Sequence, residues 1–358
     1  MNLQQKIKTL PSTPGVYLMK DSYGTILYVG KSKELKKRVQ SYFRASTVHS
    51  PKIKRLVTHV SDLDHIETDT EFEAFLLEWE LIQEYKPHYN RKMKSPQGFI
   101  YLAIPKKNRE FRSLKITTQP MSSDRFHCFG PYTSRKTVVR AIEGFKDIFQ
   151  FQCSHPNNKK SLCLNYSLGF CNGLCLGGVA LEEYDLMLDM LISHLEHQDT
   201  RLIEHVKNRM ESAAEKLEFE QAARYRNYQN ILNSLFYKEE VIHFTEANHK
   251  LVIVEEIDEE TGKVFIIKRT YVVYAEKFAF EDGLESLRGK IVEHLSSSST
   301  NAPFQAVTKF EIDKAQIIYS YLNSGNCRFV ILEDAWLEEE NERILLEQLN
   351  ELKSQKNA

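Results

Sequence analysis

Two tyrosines stand beside glycines in "GVYLMKDSYGTILYVGKS", as Gly15-Val16-Tyr17 and Tyr28-Val29-Gly30. Lys31, Lys33, Lys36, Lys37, Arg38, Arg44, Lys52, Lys54 and Arg55 follow closely, in a stretch that holds one acid, Glu34. Cations at that density form a local phosphate-attracting patch. Glu78 lies in "FLLEWELI" with Phe75, Leu77 and Trp79 around it. A carboxylate there is costly unless it serves a cation. Four of the six cysteines, Cys153, Cys163, Cys171 and Cys175, share the loop-rich stretch "CSHPNNKKSLCLNYSLGFCNGLC", whose polar composition gives little apolar reason to bury them. They read as a ligand set. No C-x-x-C pair of the kind most structural zinc sites show is present, and four thiolates also suit an iron–sulfur centre. Each feature has a plain structural reading too: strand aromatics, turn glycines, ordinary small apolar thiols. Cys128 and Cys327 stand apart and read as core thiols.

Those residues must be positioned by a chain of 358 residues, a length that allows two or three domains. The net charge of -1 excludes a uniformly basic nucleic-acid coat, so any affinity for phosphate is local. No apolar run reaches the roughly 18 residues of a membrane span, and "MNLQQKIKTL" lacks the apolar core of a secretory signal. A cytoplasmic protein without membrane attachment is expected, and in a reducing compartment its cysteines are thiols or metal ligands.

"GVYLM" and "TILYVG", joined by the turn-like "KDSYG", predict a β-hairpin. "SKELKKRVQSYF" has a Ser cap candidate and places Leu35, Val39 and Phe43 on one helical face. "SPKIKRLVTHV" predicts a second helix, "DLDHIETD" a strand, and "TEFEAFLLEWELIQEY" a long helix capped by Thr and stopped at Pro87. The order β, β, α, α, β, α describes a small sheet with helices packed on it.

In this arrangement the residues resemble the GIY-YIG endonuclease family, in the form found in bacterial excinucleases of the UvrC type. "PGVYLM", "LYVGKSKELKKRVQSYF", "HSPKIKRLV", "ETDTEFEAFLLEWELI" and "YKPHYN" each match a block of that family in order. Phosphodiester hydrolysis needs an activated oxygen nucleophile, a cation to neutralise developing charge, and help for the departing 3′ oxygen. The single carboxylate of Glu78 suits one Mg²⁺ or Mn²⁺, which keeps several waters. The resemblance implies that Tyr17 acts as, or positions, the general base. A phenol of ordinary pKa is too protonated for that, so Lys31 or the metal's water is expected to lower it. Arg38 would hold the scissile phosphate, Tyr28 would hydrogen-bond within the site, and Asn90 would orient the water or close the metal end. Lys36, Lys37, Arg44, Lys52 and Arg55 are the expected DNA contacts. The four-cysteine region is similar to one associated with a [4Fe-4S] cluster in the UvrC family, which favours iron over zinc.

"FIYLAI" and "SLKITT" read as strands, with a helix from about Ser134. From Leu181 to about Phe236 the chain is helical, and two antiparallel helices with alanine-rich faces resemble the UVR motif through which the family meets UvrB, the damage-loading helicase. Leu217, Phe219, Ala222 and Ala223 are the expected contacts near its apex. From Glu240 onward "KLVIVEEID" and "KVFIIKRTYVVY" read as paired strands, followed by a helix, the strand "CRFVIL" and a terminal helix. The later parts of the longer UvrC chains, an RNase H-like nuclease and helix-hairpin-helix motifs, are not matched, and Glu338 to Glu340 form no obvious metal-binding set.

An α+β multidomain protein is expected: residues 1–95 a GIY-YIG nuclease, 96–180 a connector with the cysteine cluster, 181–238 a helical region with the hairpin, and 239–358 a small α/β domain. The implied function is a single metal-dependent nick, 3′ to a lesion, in double-stranded damaged DNA loaded by UvrB, as in the short Cho type of homologue. A monomer is expected. The alternatives are a structure-specific nuclease working without UvrB and a non-catalytic adaptor that binds it.

Overall fold

A computed structural model describes the chain except residues 1, 45–48, 91–97, 107–110, 155, 157–160, 283–286, 297–306 and 355–358. The described residues form two compact units, one built from Met1–Pro96 with Phe244–Ala358, the other from Gln97–His243. The expected boundary at 95/96 lies outside the described residues.

The first unit begins with α1 (Leu3–Thr9), β1 (Gly15–Lys20), β2 (Ile26–Ser32), α2 (Leu35–Phe43), α3 (Pro51–His59), β3 (Asp62–Glu67) and α4 (Glu71–Tyr85). The three strands form an antiparallel sheet in the order β2-β1-β3. Alternation along β1 divides the core, as a pleated strand requires. Tyr17 and Met19 join Leu35, Val39, Tyr42 and Leu56 on one face, while Val16 and Leu18 join Ala74, Leu81 and Ile82 of α4 on the other. α2 starts later than expected. Its N-cap is Glu34, and the Ser32 hydroxyl closes a local turn on the Glu34 backbone instead of capping the helix.

The same unit continues with β7 (Lys250–Glu256), β8 (Thr261–Lys268), β9 (Tyr271–Ala279), α10 (Arg288–Ser296), α11 (Lys309–Leu322), β10 (Arg328–Leu332) and α12 (Glu342–Ser354), numbered after the second unit's elements. Its antiparallel sheet runs β10-β7-β8-β9. "KVFIIKRTYVVY" is two strands rather than one, because Arg269 turns the chain at φ +62°. β7 and β8 are buried on both faces. Val252, Val254, Val264 and Ile266 pack with α10 and α12, and Phe265 meets Phe72 of α4 edge to face at 5.1 Å.

The second unit holds a three-stranded sheet, β5-β4-β6, from β4 (Ile100–Pro105), β5 (Lys115–Thr117) and β6 (Phe126–Tyr132). It continues with α5 (Arg135–Ile148), capped by Ser134, the short α6 (Leu164–Ser167), α7 (Val179–Leu195), α8 (Arg201–Glu215) and α9 (Phe219–Glu246), whose end passes into the first unit. α9 buries Tyr228, Leu232 and Leu235, an i, i+4, i+7 stripe.

Candidate active site

The two glycines of the opening hairpin sit within strands rather than in turns. In the β1–β2 ladder Tyr17 faces Gly30. A Cβ at Gly30 would lie 2.4 Å from the Tyr17 Oη, and one at Gly15 would lie 2.3 Å from the Ile66 carbonyl oxygen. Absence of a side chain thus makes room for the Tyr17 ring and lets β3 approach.

Tyr17 is buried, and its hydroxyl lies 2.8 Å from that of Tyr42. Arg38 Nη2 donates to the Tyr42 Oη at 3.1 Å, and the guanidinium sits over the Tyr42 ring. Arg38 and Tyr42 are one turn apart on α2, the spacing that brings side chains together. The Tyr28 ring completes a triangle, with centroids 6.1 Å from Tyr17 and 6.4 Å from Tyr42. Burial pushes the Tyr17 phenol well above its ordinary range, the neighbouring Tyr42 and Tyr28 add to this, and Arg38 opposes it. Tyr28 is raised as well, by burial first and then by Tyr42 and Glu78.

Glu78 Oε1 accepts from the Lys31 backbone N–H at 3.3 Å. Burial raises its carboxyl above the ordinary 4.5, partly offset by that N–H and the charges of Lys31 and Arg38. Among the described residues no lysine, arginine or histidine side chain forms an ion pair with Glu78. A half-buried carboxylate lacking a paired cation fits a hard divalent ion. The Lys31 ammonium is instead 2.6 Å from Glu71 Oε1 and 3.3 Å from the Phe75 ring centroid. Lowering of the Tyr17 phenol was expected from Lys31 or from the metal's water; Glu71 engages the Lys31 ammonium, and the cation among the influences on Tyr17 is Arg38. Burial alone would raise Glu71, but Lys31 and Lys33 hold it below its ordinary value.

Asn90 is buried, and its amide closes a two-way bond with Val29, accepting from the N–H at 2.9 Å and donating to the carbonyl at 2.8 Å. The expected role was to orient the water or close the metal end; the bonds observed pin the strand between Tyr28 and Gly30.

Lys36 and Lys37 lie on α2, Arg44 just beyond it, and Lys52 and Arg55 on α3. Lys37 pairs with Glu34 at 3.6 Å. Lys52 and Arg55 line a pocket of about 410 Å³ with Ser50, His88 and Tyr89. The residue that sequence reasoning missed is Tyr42, whose i+4 relation to Arg38 was the available signal.

In the second unit the sulfurs of Cys153, Cys163 and Cys175 lie within 4.8 Å of one another. Cys171 is a near neighbour of Cys163 and stands outside that trio. Burial opposes ionisation of Cys163, but backbone N–H groups of Ser154 and Tyr166 and the thiols of Cys171 and Cys175 bring it down to about 7. Four thiols at such proximity fit a metal centre. One tetrahedral ion, with S···S separations of about 3.8 Å from a metal–sulfur bond of about 2.3 Å, suits the trio's spacing. At the turn between α8 and α9, Leu217 and Phe219 are 71% and 66% exposed, while Ala222 and Ala223 are half-buried.

This strand pair, phenol cluster and acid-bearing helix define a GIY-YIG nuclease domain. Residues 13–91 match the UvrC-like GIY-YIG domain, residues 99–194 the UvrC/Cho excinuclease middle domain, and residues 200–232 the UvrB/uvrC motif. Three successive segments of the chain thus match domains of the UvrC/Cho excinucleases. It is 32% identical over 333 residues to the UvrABC system protein C of Caldanaerobacter subterraneus subsp. tengcongensis, covering 90% of this chain and 54% of that protein. The corresponding figures for the protein of Alkaliphilus oremlandii are 31%, 90% and 53%. The chain thus spans about half the length of the curated relatives it matches. A solved structure, the GIY-YIG N-terminal endonuclease domain of UvrC from Thermotoga maritima bound to its catalytic magnesium, is 39% identical. It covers 24% of this chain and 93% of its own, with a TM-score of 0.22. Among the described residues no helix is long and apolar enough to cross a membrane.

Proposed function

We propose that this chain is a metal-dependent endodeoxyribonuclease of nucleotide excision repair. It hydrolyses one phosphodiester on the 3′ side of a lesion, in double-stranded DNA loaded by a UvrB-like helicase. The observation that carries this is the Tyr17–Tyr42–Arg38 chain set beside the unpaired Glu78. Glu78 would hold one Mg²⁺ or Mn²⁺, which supplies charge neutralisation at the phosphate when bound. Tyr17, raised by burial, is a poor base in its own right. The Tyr17–Tyr42 pair would therefore work as a unit: once one phenolic proton has left to solvent, Arg38 steadies the phenolate charge, and the phenolate takes up the proton released by the attacking water as its oxygen bonds to phosphorus. Arg38, open to solvent on its outer side, also meets the scissile phosphate. Asn90 and Gly30 are positioning residues, and Lys36, Lys37, Arg44, Lys52 and Arg55 receive the DNA backbone.

Partner binding falls to the turn between α8 and α9. Leu217 holds φ +62°, a conformation that costs a non-glycine residue about 1 kcal/mol, and presents its side chain and that of Phe219 to solvent. Cys153, Cys163, Cys171 and Cys175 would hold a metal centre, a [4Fe-4S] cluster on the family resemblance, with zinc as the second reading because the close spacing of three of the thiols suits a single tetrahedral ion. The chain reads as four functional segments, 1–95, 96–180, 181–238 and 239–358, and works as a monomer in the cytoplasm. Mg²⁺-dependent nicking of damaged DNA in the presence of the helicase, lost in Glu78→Ala, tests the catalytic claim; a Glu78→Ala variant as active as the parent would sink it. Pull-down of the helicase by wild type but not by Phe219→Ala separates this function from a nuclease acting alone. An inactive wild-type chain that still binds the helicase would be the adaptor.

A further inference from the structure

We propose that Glu255, on the first strand of the C-terminal sheet, is a positioning residue of the nuclease: it caps the helix that carries Glu78 and sets where that carboxylate stands. The proposal rests on the catalytic role assigned to Glu78 above. None of the three family matches extends beyond residue 232, so the sheet formed by β7–β10 has no role assigned by them.

The first N–H groups of a helix have no partner within it. In α4 the Thr70 hydroxyl accepts from Glu73 N at 3.3 Å. The two donors before it, the first of the helix, turn outward to a residue distant in sequence. Glu71 N lies 3.2 Å from Glu255 Oε1 and Phe72 N lies 3.4 Å from Glu255 Oε2. A carboxylate at this end is also favoured by the helix dipole. Glu255 is itself 8% exposed, and Tyr321 of α11 donates to its Oε1 at 2.5 Å. The side chain therefore has little freedom to follow the helix if the helix shifts. Around this bond Phe72 packs between Phe265 and Tyr321, at centroid distances of 5.1 and 5.0 Å. Lys263 reaches Asp69 at 2.8 Å and Glu73 at 2.5 Å.

The link to the site is short. Glu71, whose N–H the cap holds, lies two turns before Glu78, and both face Lys31. Glu71 Oε1 meets the Lys31 ammonium and Glu78 Oε1 meets the Lys31 N–H. Seven residues of helix rise about 10 Å, so a tilt at the capped end is carried directly to the metal-binding carboxylate. Nothing else in the first unit satisfies the Glu71 and Phe72 N–H groups among the described residues. The C-terminal sheet is in this sense part of the nuclease.

Glu255→Gln and Tyr321→Phe, made separately in the full-length chain, test this. Amide exchange at Glu71 and Phe72 is expected to quicken roughly fivefold, the loss of one helix cap. The Mg²⁺ concentration giving half-maximal nicking is expected to rise severalfold, while the thermal midpoint moves little. Faster exchange with an unchanged Mg²⁺ requirement would make Glu255 a cap without a positioning role and overturn the proposal. So would unchanged exchange, or activity lost only in step with unfolding. Should Glu255→Gln fail to fold, Tyr321→Phe, which keeps the carboxylate, carries the same readings. A wild-type chain that does not nick would defeat the nuclease reading instead, and the exchange arm would still decide whether Glu255 holds the helix.

Discussion

Gly30 stands directly across the β1–β2 ladder from Tyr17, close enough that a methyl group on its Cα would meet the phenol ring and hydroxyl at 2.5 and 2.4 Å. Such separations cannot be accommodated without moving the ring. Gly30→Ala is therefore expected to displace Tyr17 from Tyr42 and lower the nicking rate about a hundredfold, the scale of a misplacement near 1 Å. Far-ultraviolet circular dichroism should stay native. A variant with the parental rate would show that the position of Tyr17 does not matter.

Tyr42→Phe removes the hydroxyl that joins Tyr17 to Arg38 and leaves the ring packing in place. The maximal nicking rate should fall about a hundredfold, within the usual contribution of acid–base catalysis. DNA affinity, measured by fluorescence anisotropy, should change little. Equal loss in affinity and rate would make Tyr42 a binding group only.

Acidity at Glu78 gives a prediction with a definite sign. Its carboxyl is raised above 4.5, chiefly by burial. The folded protein therefore holds this proton more strongly than the unfolded chain does, and the ionised group costs stability once pH exceeds its folded pKa. Glu78→Gln should raise the thermal midpoint at pH 7 without metal and lose that advantage in acid. Mg²⁺ should raise the midpoint of the wild type alone. The acid limb of the wild-type rate should move to lower pH as Mg²⁺ is raised, because a bound cation favours the ionised carboxylate and competes with its proton. A limb that Mg²⁺ does not move, or a Gln variant that Mg²⁺ stabilises equally, would remove Glu78 from the metal.

Cys163→Ser should empty the thiol centre, abolishing visible absorption and acid-labile sulfide if it is iron–sulfur, or bound zinc if it is zinc, in protein purified without oxygen. The GIY-YIG unit carries its own ligand, so Mg²⁺ binding by the Glu78 site should survive, as read by the metal-induced shift in thermal midpoint. Full retention of metal in the Ser variant would show that Cys163 is not a ligand.

The hairpin, the basic helices and the helix bearing Glu78 were legible because their residues follow local rules: β-branched and aromatic strands, Thr70 at an N-cap, Pro87 after a C-terminus. Tyr42 was hidden by the same periodicity that revealed its helix. The apolar spacing points to Leu35, Val39 and Phe43, whereas the buried residues are Leu35, Val39 and Tyr42, with Phe43 only half-buried. The turn at Arg269 carried no glycine, proline or asparagine to announce it. Glu255 was beyond reach for another reason. It meets Glu71 across 184 positions of sequence, and no local pattern encodes a partner so distant.

Joining Met1–Pro96 to Phe244–Ala358 in one compact unit has a consequence for biosynthesis. A ribosome releases the glycine-tyrosine hairpin early and the strand bearing Glu255 only after the intervening 97–243 has emerged. Under the role proposed for Glu255, a chain still short of residue 255 presents Tyr17, Arg38 and Glu78 while the helix bearing Glu78 lacks its brace.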